Sequence, residues 1–292
     1  MAATARARPR PRRLLRATIL YGCMLVAFVA ILAPFAWLLI SSVAKPVDLL
    51  AKPLSFIPGA ISLDRYAALT FGVHPDSAAE GFRAATANSL LVATTVTAVA
   101  LLVGIPAAYA FARLRFRGRG WLILVFMATY MLPPIALVIP LYQIMSGFGW
   151  LDRPIALIVI YSSFVTPFVI WLMRGYFESV SPELDDAARV DGCTRLGALV
   201  RVLLPVSAPG IVSTGLLAFL LAWDEFFYAL VMTQTNAAKT LPVALNDFIG
   251  RHGIDFGMLA AGGVIAALPP VLIAFVFQRY LVAGLTAGGV KG

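Results

Sequence analysis

The chain has 292 residues, of which 61% are hydrophobic and 13% are charged, and its formal net charge is +9. A soluble domain has roughly 45–50% apolar and about 25% charged residues, so this composition excludes an ordinary soluble protein and indicates a membrane protein. The two cysteines, Cys23 and Cys193, lie in an apolar and a charged segment respectively, so we expect no disulfide.

Six apolar segments are long enough to cross a bilayer as helices. A hydrocarbon core of about 30 Å needs about 20 apolar helical residues, because every backbone polar group must be satisfied inside its own segment. The sequence therefore predicts an all-α membrane protein with six transmembrane helices. The predicted spans are residues 17–40, 88–112, 121–142, 154–177, 209–232 and 258–278.

Positive charges predict the orientation of these spans. The chain starts with a basic segment, residues 1–16, and further arginines cluster in 113–119 and 174–201. Because lysine and arginine are in excess in cytoplasmic loops, we expect both termini, a charged segment at 178–207 and a tail at 279–292 to be cytoplasmic, within one domain of residues 17–292. The basic charge then reflects topology and anionic lipid, and nucleic-acid binding is not expected.

Small residues and prolines mark irregular parts of the spans. Gly104, Ala108 and Ala112 recur every fourth residue in the second span, a pattern that lets another helix approach closely. Prolines such as Pro133 and Pro134 remove backbone donors, so the freed carbonyl groups must be met by other helices or by water. Such sites either line a path or are packing kinks, and the sequence leaves both interpretations open.

The charged segment between the fourth and fifth spans reads SPELDDAARVDGCTRLGALVRVLLP, residues 181–205. Ser181 is a good N-cap, Pro182 suits the first helical position, and Gly192 is a natural left-handed end for the helix. Thr194 offers a second N-cap. Apolar residues with helical spacing then predict an amphipathic helix that packs against the inner ends of the spans, namely Leu196, Leu199, Val200 and Leu203.

The first of these two helices is predicted to expose small side chains. Ala187 and Ala188 lie beside acidic residues and Arg189. Small side chains permit close insertion into a groove of another protein, so the helix is a candidate docking surface. A solvated connector is the alternative interpretation.

The fifth span contains the sequence AWDEFFYAL, in which Asp224 and Glu225 follow Trp223. Ionisable groups at membrane depth are costly and are candidates for function. Adjacent helical residues diverge by about 100°, so the two acids do not form a catalytic pair. They are expected to face a translocation path, to pair with a polar group, or to lie near the outer interface.

The sequence lacks the motifs of common catalytic sites. It has no phosphate-binding G-x-x-x-x-G-K-[ST] loop and no H-E-x-x-H or Cys/His cluster with metal-ligand spacing. The two histidines, His74 and His252, lie in predicted external loops, where neither activates a serine nucleophile. We therefore expect no enzymatic activity, no metal and no cofactor in this chain.

The charged segment resembles the EAA loop of ABC importer permeases. Asp186-Ala187-Ala188 is followed after three residues by Gly192 and, after nine more, by Val202-Leu203-Leu204-Pro205, which is the family's spacing. Aspartate replaces the family's glutamate at Asp186, and valine replaces isoleucine at Val202. The sequences NSLLVA, ARLRFRGR, AWDEFFYAL and LVAGLTAGGVKG are similar to the maltose-type carbohydrate subclass, and the similarity covers most of the chain from residue 88 onward.

The resemblance implies a division of labour among several proteins. It implies a type I ABC importer permease fold in a bacterial or archaeal inner membrane, with a second permease subunit and two ATPase subunits that use ATP and Mg²⁺. It also implies an external solute-binding protein and, as substrate, an oligosaccharide or disaccharide of the maltose or trehalose type. The implied ATPase-docking residues are Glu183, Asp186, Ala187, Ala188, Arg189, Gly192, Leu204 and Pro205, the implied tail contacts are Gly288, Gly289, Val290 and Lys291, and the candidate path residues are Trp223, Asp224 and Glu225.

Other functions remain open at this point. An ABC permease for glycerol-phosphate or a polyamine would carry the same EAA-like loop. A proton-coupled carrier that uses Asp224 or Glu225 would leave the charged segment unexplained. An intramembrane enzyme would need a nucleophile and base that the sequence does not supply.

Overall fold

The computed structural model describes residues 11–51, 56–72, 77–250 and 253–289. These residues are mostly helical, with one antiparallel pair of two-residue strands. The elements are α1 Pro11–Val43, α2 Pro46–Leu49, α3 Asp64–Phe71, α4 Ser77–Arg113, α5 Arg119–Met131, α6 Pro134–Gly147, α7 Pro154–Ser179, α8 Pro182–Val190, α9 Arg195–Ala198, a π-helix at Leu199–Leu203, α10 Leu204–Val206, α11 Ala208–Trp223, α12 Phe227–Met232, α13 Leu241–Asn246, β1 Ile249–Gly250, β2 Gly253–Ile254 and α14 Phe256–Gly289.

Four helical segments are long and apolar enough to cross a membrane. They are Arg16–Val43, Gly81–Arg113, Pro154–Ser179 and Phe256–Tyr280. Two bent helix pairs raise the number to six if each pair forms one span. The described residues therefore contain four to six candidate spans, and the predicted number is the upper end of that range.

The predicted third span, residues 121–142, is not one helix. The axes of α5 and α6 differ by 92°. Leu132 and Pro133 both have extended backbone between the two helices. A residue before proline is disfavoured in helical geometry, and the chain has two consecutive prolines here, so Pro134 begins a new helix instead of continuing the old one.

The predicted fifth span, residues 209–232, is also interrupted. Helix α11 ends at Trp223, and α12 begins only at Phe227. The Glu225 carboxylate accepts hydrogen bonds from the backbone N–H groups of Tyr228 and Ala229, at 2.9 Å and 3.3 Å. A side chain that satisfies the first free N–H groups favours a new helix start, which the apolar pattern of this segment does not reveal.

The core forms where α4 crosses α7. A Cβ atom at Gly104 would lie 2.7 Å from Cγ1 of Val169, so a larger residue would separate the two helices. Ala108 on the same stripe is fully buried, as are Tyr161 and Phe177 of α7. The close packing predicted from the small-residue pattern is therefore confirmed.

Helix α1 has the opposite character, because most of its large apolar side chains are exposed. Leu25 and Phe28 are both more than 60% exposed, and the apolar window of this helix has no buried residue. It packs against α14. Apolar side chains on the outside fit a lipid-facing or partner-facing helix, and they are unfavourable in water.

Polar contacts join the loops on the side of the fold opposite α8. Asp152, which has a positive φ of 56°, accepts hydrogen bonds from the backbone of Gln234 and Thr235 and from the Thr235 hydroxyl, the last at 2.6 Å. Partial burial on its own raises the pKa of Asp152, but these hydrogen bonds and the charge of Lys239 outweigh it and lower that pKa below its usual value. This cluster ties the loop before α7 to the loop after α12.

Candidate functional site

The first helix of the charged segment has the predicted ends. The Ser181 hydroxyl accepts a hydrogen bond from the Glu183 backbone N–H, at 3.3 Å, and Pro182 is the first residue of α8. Gly192 has a φ of 85°, and the neighbouring Cys193 N–H donates to the Ala188 carbonyl at 3.0 Å. A left-handed residue after the helix satisfies the free carbonyl groups, so the predicted glycine turn is confirmed.

Most of the predicted docking residues on α8 lie on its exposed side. Glu183, Asp186, Ala187 and Arg189 are exposed. The prediction that both alanines are exposed is wrong for Ala188, which is 6% exposed. Side chains three residues apart share a helix face, so Ala188 lies on the inner face that begins at residue 185.

The second helix of the segment runs from residue 195 to 206 and contains a π-helical turn. The Thr194 hydroxyl accepts a hydrogen bond from the Gly197 N–H at 3.1 Å, which confirms the predicted cap. In the π turn, the Leu204 N–H donates to the carbonyl of Leu199, five residues earlier. The helix continues through Pro205 to residue 206, and its axis is bent by 83° from that of α11.

The predicted apolar stripe of this second helix is only half correct. Leu199 and Leu203 are buried in the main core, but Leu196 and Val200 are more than 50% exposed. The wider π turn changes the angular spacing of the side chains, so a pattern based on 3.6 residues per turn assigns them to the wrong face. Of the two remaining predicted docking residues, Leu204 is half-buried and Pro205 is exposed.

Asp185 is the residue of this segment that the sequence analysis missed. Its side chain is 8% exposed and its carboxylate accepts a hydrogen bond from the Tyr109 hydroxyl of α4, with oxygen distances of 3.1 Å and 3.2 Å. Arg113, one turn further along α4, donates to the Val180 carbonyl at 2.7 Å, just before α8. The i, i+3 spacing of Asp185 and Ala188 places both residues on one helix face. A carboxylate is usually predicted to face solvent, so this spacing alone does not indicate that Asp185 is buried.

The three candidate path residues of the fifth span diverge in the structure. Trp223 is 3% exposed, and its indole N–H donates to the Ala266 carbonyl of α14 at 3.2 Å. Asp224 is exposed at the break between α11 and α12, whereas Glu225 is occupied as the cap of α12. Asp224 therefore remains the candidate path residue, whereas Glu225 has a structural role as the cap of α12.

Asp224 lines a cavity of about 480 Å³. The cavity lies between α1, α11, α13 and α14, and Asp224 is the one charged residue among those that line it. A carboxylate on an otherwise apolar wall offers hydrogen-bond acceptors to hydroxyl groups of a ligand, and the volume suits a small molecule. The other lining residues are Phe35, Trp223, Leu241, Pro242, Leu245, Ala266, Ala267, Pro270 and Val271.

The predicted tail begins inside a helix. Helix α14 continues to Gly289, so Gly288 and Gly289 are its last residues and the predicted end of the span at residue 278 is not a helix end. Val290 and Lys291 lie outside the described residues. Within the described ranges, no group of three or more His, Cys, Asp and Glu side chains is suited to hold a metal ion.

Residues 100–287 match the family of binding-protein-dependent transport system inner membrane components. The chain belongs to this family. The match covers α4 from residue 100 onward, all of α7, the charged segment and the interrupted fifth span. The EAA-like spacing and the helix-turn-helix that carries it both lie inside the matched residues.

Relatives are similar to the chain over nearly its full length. The trehalose/maltose transport system permease protein MalG of Thermococcus litoralis is 34% identical over 284 residues, covering 97% of this chain and 99% of the relative. The sulfoquinovosyl glycerol transport system permease protein SmoH of Agrobacterium fabrum is 35% identical and covers 89% of both chains. The trehalose transport system permease protein SugB of Mycobacterium tuberculosis is 35% identical, covering 89% of this chain and 93% of the relative.

Solved structures share the fold. A chain of a bacterial ABC transporter that imports the acidic polysaccharide alginate has a TM-score of 0.75 and 22% identity, covering 94% of this chain and 99% of that one. A chain of a bacterial alginate ABC transporter in complex with a pentasaccharide-bound periplasmic protein has a TM-score of 0.64 and 18% identity, covering 92% and 95%. The arrangement of helices described above is thus that of an ABC importer permease.

Proposed function

We propose that this chain is a permease subunit of an ATP-driven importer for a carbohydrate. The observation that carries the proposal is the EAA-like spacing of residues 186–205 on an exposed, doubly capped helix-turn-helix. The relatives named for trehalose, maltose and sulfoquinovosyl glycerol support a sugar or sugar derivative as substrate. The chain crosses an inner membrane six times with both termini in the cytoplasm.

In this proposal α8 is the helix that enters a groove on an ATPase subunit. Its exposed face combines a small side chain, Ala187, with the charges of Glu183, Asp186 and Arg189. The ATPase subunits bind ATP and Mg²⁺, and this chain carries no nucleotide site or catalytic activity of its own. Closure of the ATPase dimer moves α8, and the tail through Gly289 extends the same cytoplasmic surface.

The substrate passes the break between α11 and α12. Asp224 supplies carboxylate oxygens that accept hydrogen bonds from sugar hydroxyls, and aromatic rings such as Phe35 supply apolar contacts in the same cavity. A second permease subunit completes the path and covers part of the exposed α1. An external solute-binding protein delivers the sugar from the opposite side of the membrane.

The experiment that tests this proposal is purification of the assembled complex followed by measurement of its ATP hydrolysis in lipid vesicles. We expect the chain to co-purify with an ATPase, a second permease and, when sugar is added, a solute-binding protein. One sugar-loaded binding protein should stimulate hydrolysis. If a binding protein loaded with glycerol-phosphate or a polyamine stimulated hydrolysis instead, the substrate would be that solute and not a sugar. Transport by the chain without any ATPase would refute the proposal.

A further inference from the structure

Two contacts join the cytoplasmic end of α4 to the start of α8. The Tyr109 hydroxyl donates to the Asp185 carboxylate, at 3.1 Å and 3.2 Å from its two oxygens. The Arg113 guanidinium donates to the Val180 carbonyl at 2.7 Å. Tyr109 and Arg113 are four residues apart, so they lie on one face of α4 and both point to the same short piece of chain.

The contact between Tyr109 and Asp185 is buried on both sides. Tyr109 is 5% exposed and Asp185 is 8% exposed. Among the described residues Asp185 forms no ion pair. A buried carboxylate is costly unless hydrogen bonds satisfy it, so the phenol is the side-chain partner that keeps α8 in this position.

The orientation of the phenol is itself fixed by packing. The ring of Tyr109 meets the ring of Phe177 on α7 edge to face, with an interplanar angle of 90° and a centroid distance of 6.4 Å. Phe177 is fully buried. The hydroxyl therefore has a defined direction, and a displacement of Asp185 acts on a side chain that is held between α4 and α7.

We infer that Tyr109 and Asp185, together with the Arg113 contact, form a latch that makes α8 and α4 move as one unit. The inference rests on the proposed function, because it assigns these residues to the transfer of ATPase movement into the spans. Tyr109 is a positioning residue that acts through Asp185. The movement continues into α7, because Gly104 brings α4 into close contact with Val169.

Three variants separate a mechanical role from a merely structural one. Tyr109→Phe removes the donor and leaves the carboxylate buried. The double variant Tyr109→Phe/Asp185→Leu removes both polar groups, which is often nearly neutral for stability. Tyr21→Phe is the matched control, because Tyr21 is 67% exposed on α1. Tyr109→Phe should lower stability, because the buried Asp185 carboxylate loses its donor. If the latch transmits movement, the double variant should recover that stability but not the transport efficiency.

The first measurement is sugar uptake per ATP hydrolysed by the complete complex in lipid vesicles. A hydrogen bond to a charged group shifts an equilibrium by about tenfold or more, so we expect an efficiency loss of that order in Tyr109→Phe. ATPase co-purification and basal hydrolysis should remain. An unchanged ratio in Tyr109→Phe, or a ratio restored together with stability in the double variant, would overturn the inference.

The second measurement does not depend on the transported solute. Spin labels are placed at Val190 of α8 and Leu102 of α4, which are 87% and 75% exposed, after replacement of Cys23 and Cys193. We expect a narrow distance distribution in the full-length chain and a broader one in Tyr109→Phe. Equal widths would overturn the latch even if transport of a sugar were established, whereas a narrow wild-type distribution without ATP-driven uptake would refute only the proposed function.

Discussion

The charged segment at 181–206 and the break at 224–226 both place carboxylates in an apolar chain, but they use them differently. In the first, Asp185 is buried against Tyr109, whereas Asp186 is exposed and forms no side-chain hydrogen bond within the part of the chain that the structure describes. In the second, Glu225 caps α12 and Asp224 faces a cavity. In each adjacent pair, one acid supports the fold and its neighbour is available to a partner or ligand.

The largest effect should come from Gly192→Pro in the charged segment. Proline has a fixed negative φ, whereas Gly192 has a φ of 85°, so the turn between α8 and α9 cannot form. We expect transport to be abolished while the chain still inserts in the membrane. Gly192→Asn is the matched control, because asparagine tolerates the left-handed conformation and should retain most uptake. Wild-type uptake by Gly192→Pro would contradict the role of this turn.

The next largest effect is expected for Asp224→Asn at the break. Loss of the negative charge from the cavity weakens hydrogen bonds to sugar hydroxyls, each worth about 1 kcal/mol or more, so the KM for uptake should rise about fivefold or more. Thermal stability should stay unchanged, because Asp224 is exposed. A KM equal to that of the wild type would remove Asp224 from the path.

Substitution of the neighbouring Glu225 should lower the stability of the chain and should not raise the KM. Glu225→Ala removes the cap of α12 and should lower stability by about 1 kcal/mol, measured as a lower Tm in detergent. Glu225→Gln keeps an acceptor oxygen, so it should lower the stability by less than Glu225→Ala does. If Glu225→Ala left the Tm unchanged and raised the KM, the division of roles between the two acids would be reversed.

A smaller effect is expected for Asp186→Ala on the exposed face of α8. The side chain is exposed, so its loss should weaken co-purification of the ATPase without changing the Tm. An exposed charge pair contributes about 0.2–1 kcal/mol, so the affinity should fall by less than about tenfold. Asp191→Ala is the control, because Asp191 is exposed just outside α8. Equal losses in both variants would argue against a specific role for Asp186.

The smallest effect concerns the loop cluster around Asp152. The pKa of Asp152 is lowered in the folded chain from its ordinary value of 3.8, so its stabilising contribution is present above that pH and is lost as the pH falls through the folded pKa. Because the carboxylate is partly exposed, Asp152→Asn should cost less than about 1 kcal/mol at pH 7. The difference in the free energy of unfolding between Asp152→Asn and wild type should disappear at low pH. A difference that stays constant with pH would contradict the stabilising role of the Asp152 carboxylate.

The parts that the sequence predicts well are those fixed by local chemistry. Ser181, Thr194 and Gly192 act within three or four residues of themselves, so caps and turn follow from residue type and spacing. The close approach at Gly104 follows from a repeat on one helix face. The family resemblance of residues 186–205 also depends on spacing alone.

The parts that the sequence does not predict depend on contacts between distant segments. Asp185 is buried because Tyr109, 76 residues earlier, supplies a donor. The apolar residues near Glu225 read as a continuous span, and only the hydrogen bonds of its carboxylate reveal the break. The π turn before Leu204 shifts the faces of its helix, and no 3.6-residue pattern contains that shift.

The most direct test of the central claim is uptake by vesicles that contain the assembled complex, with ATP inside or absent and with the proton gradient intact or collapsed by an ionophore. If α8 receives its movement from an ATPase, sugar uptake requires ATP and continues after the gradient is collapsed. Uptake that stops when the gradient is collapsed while ATP is retained would contradict the account and would assign the transport to a proton-coupled carrier.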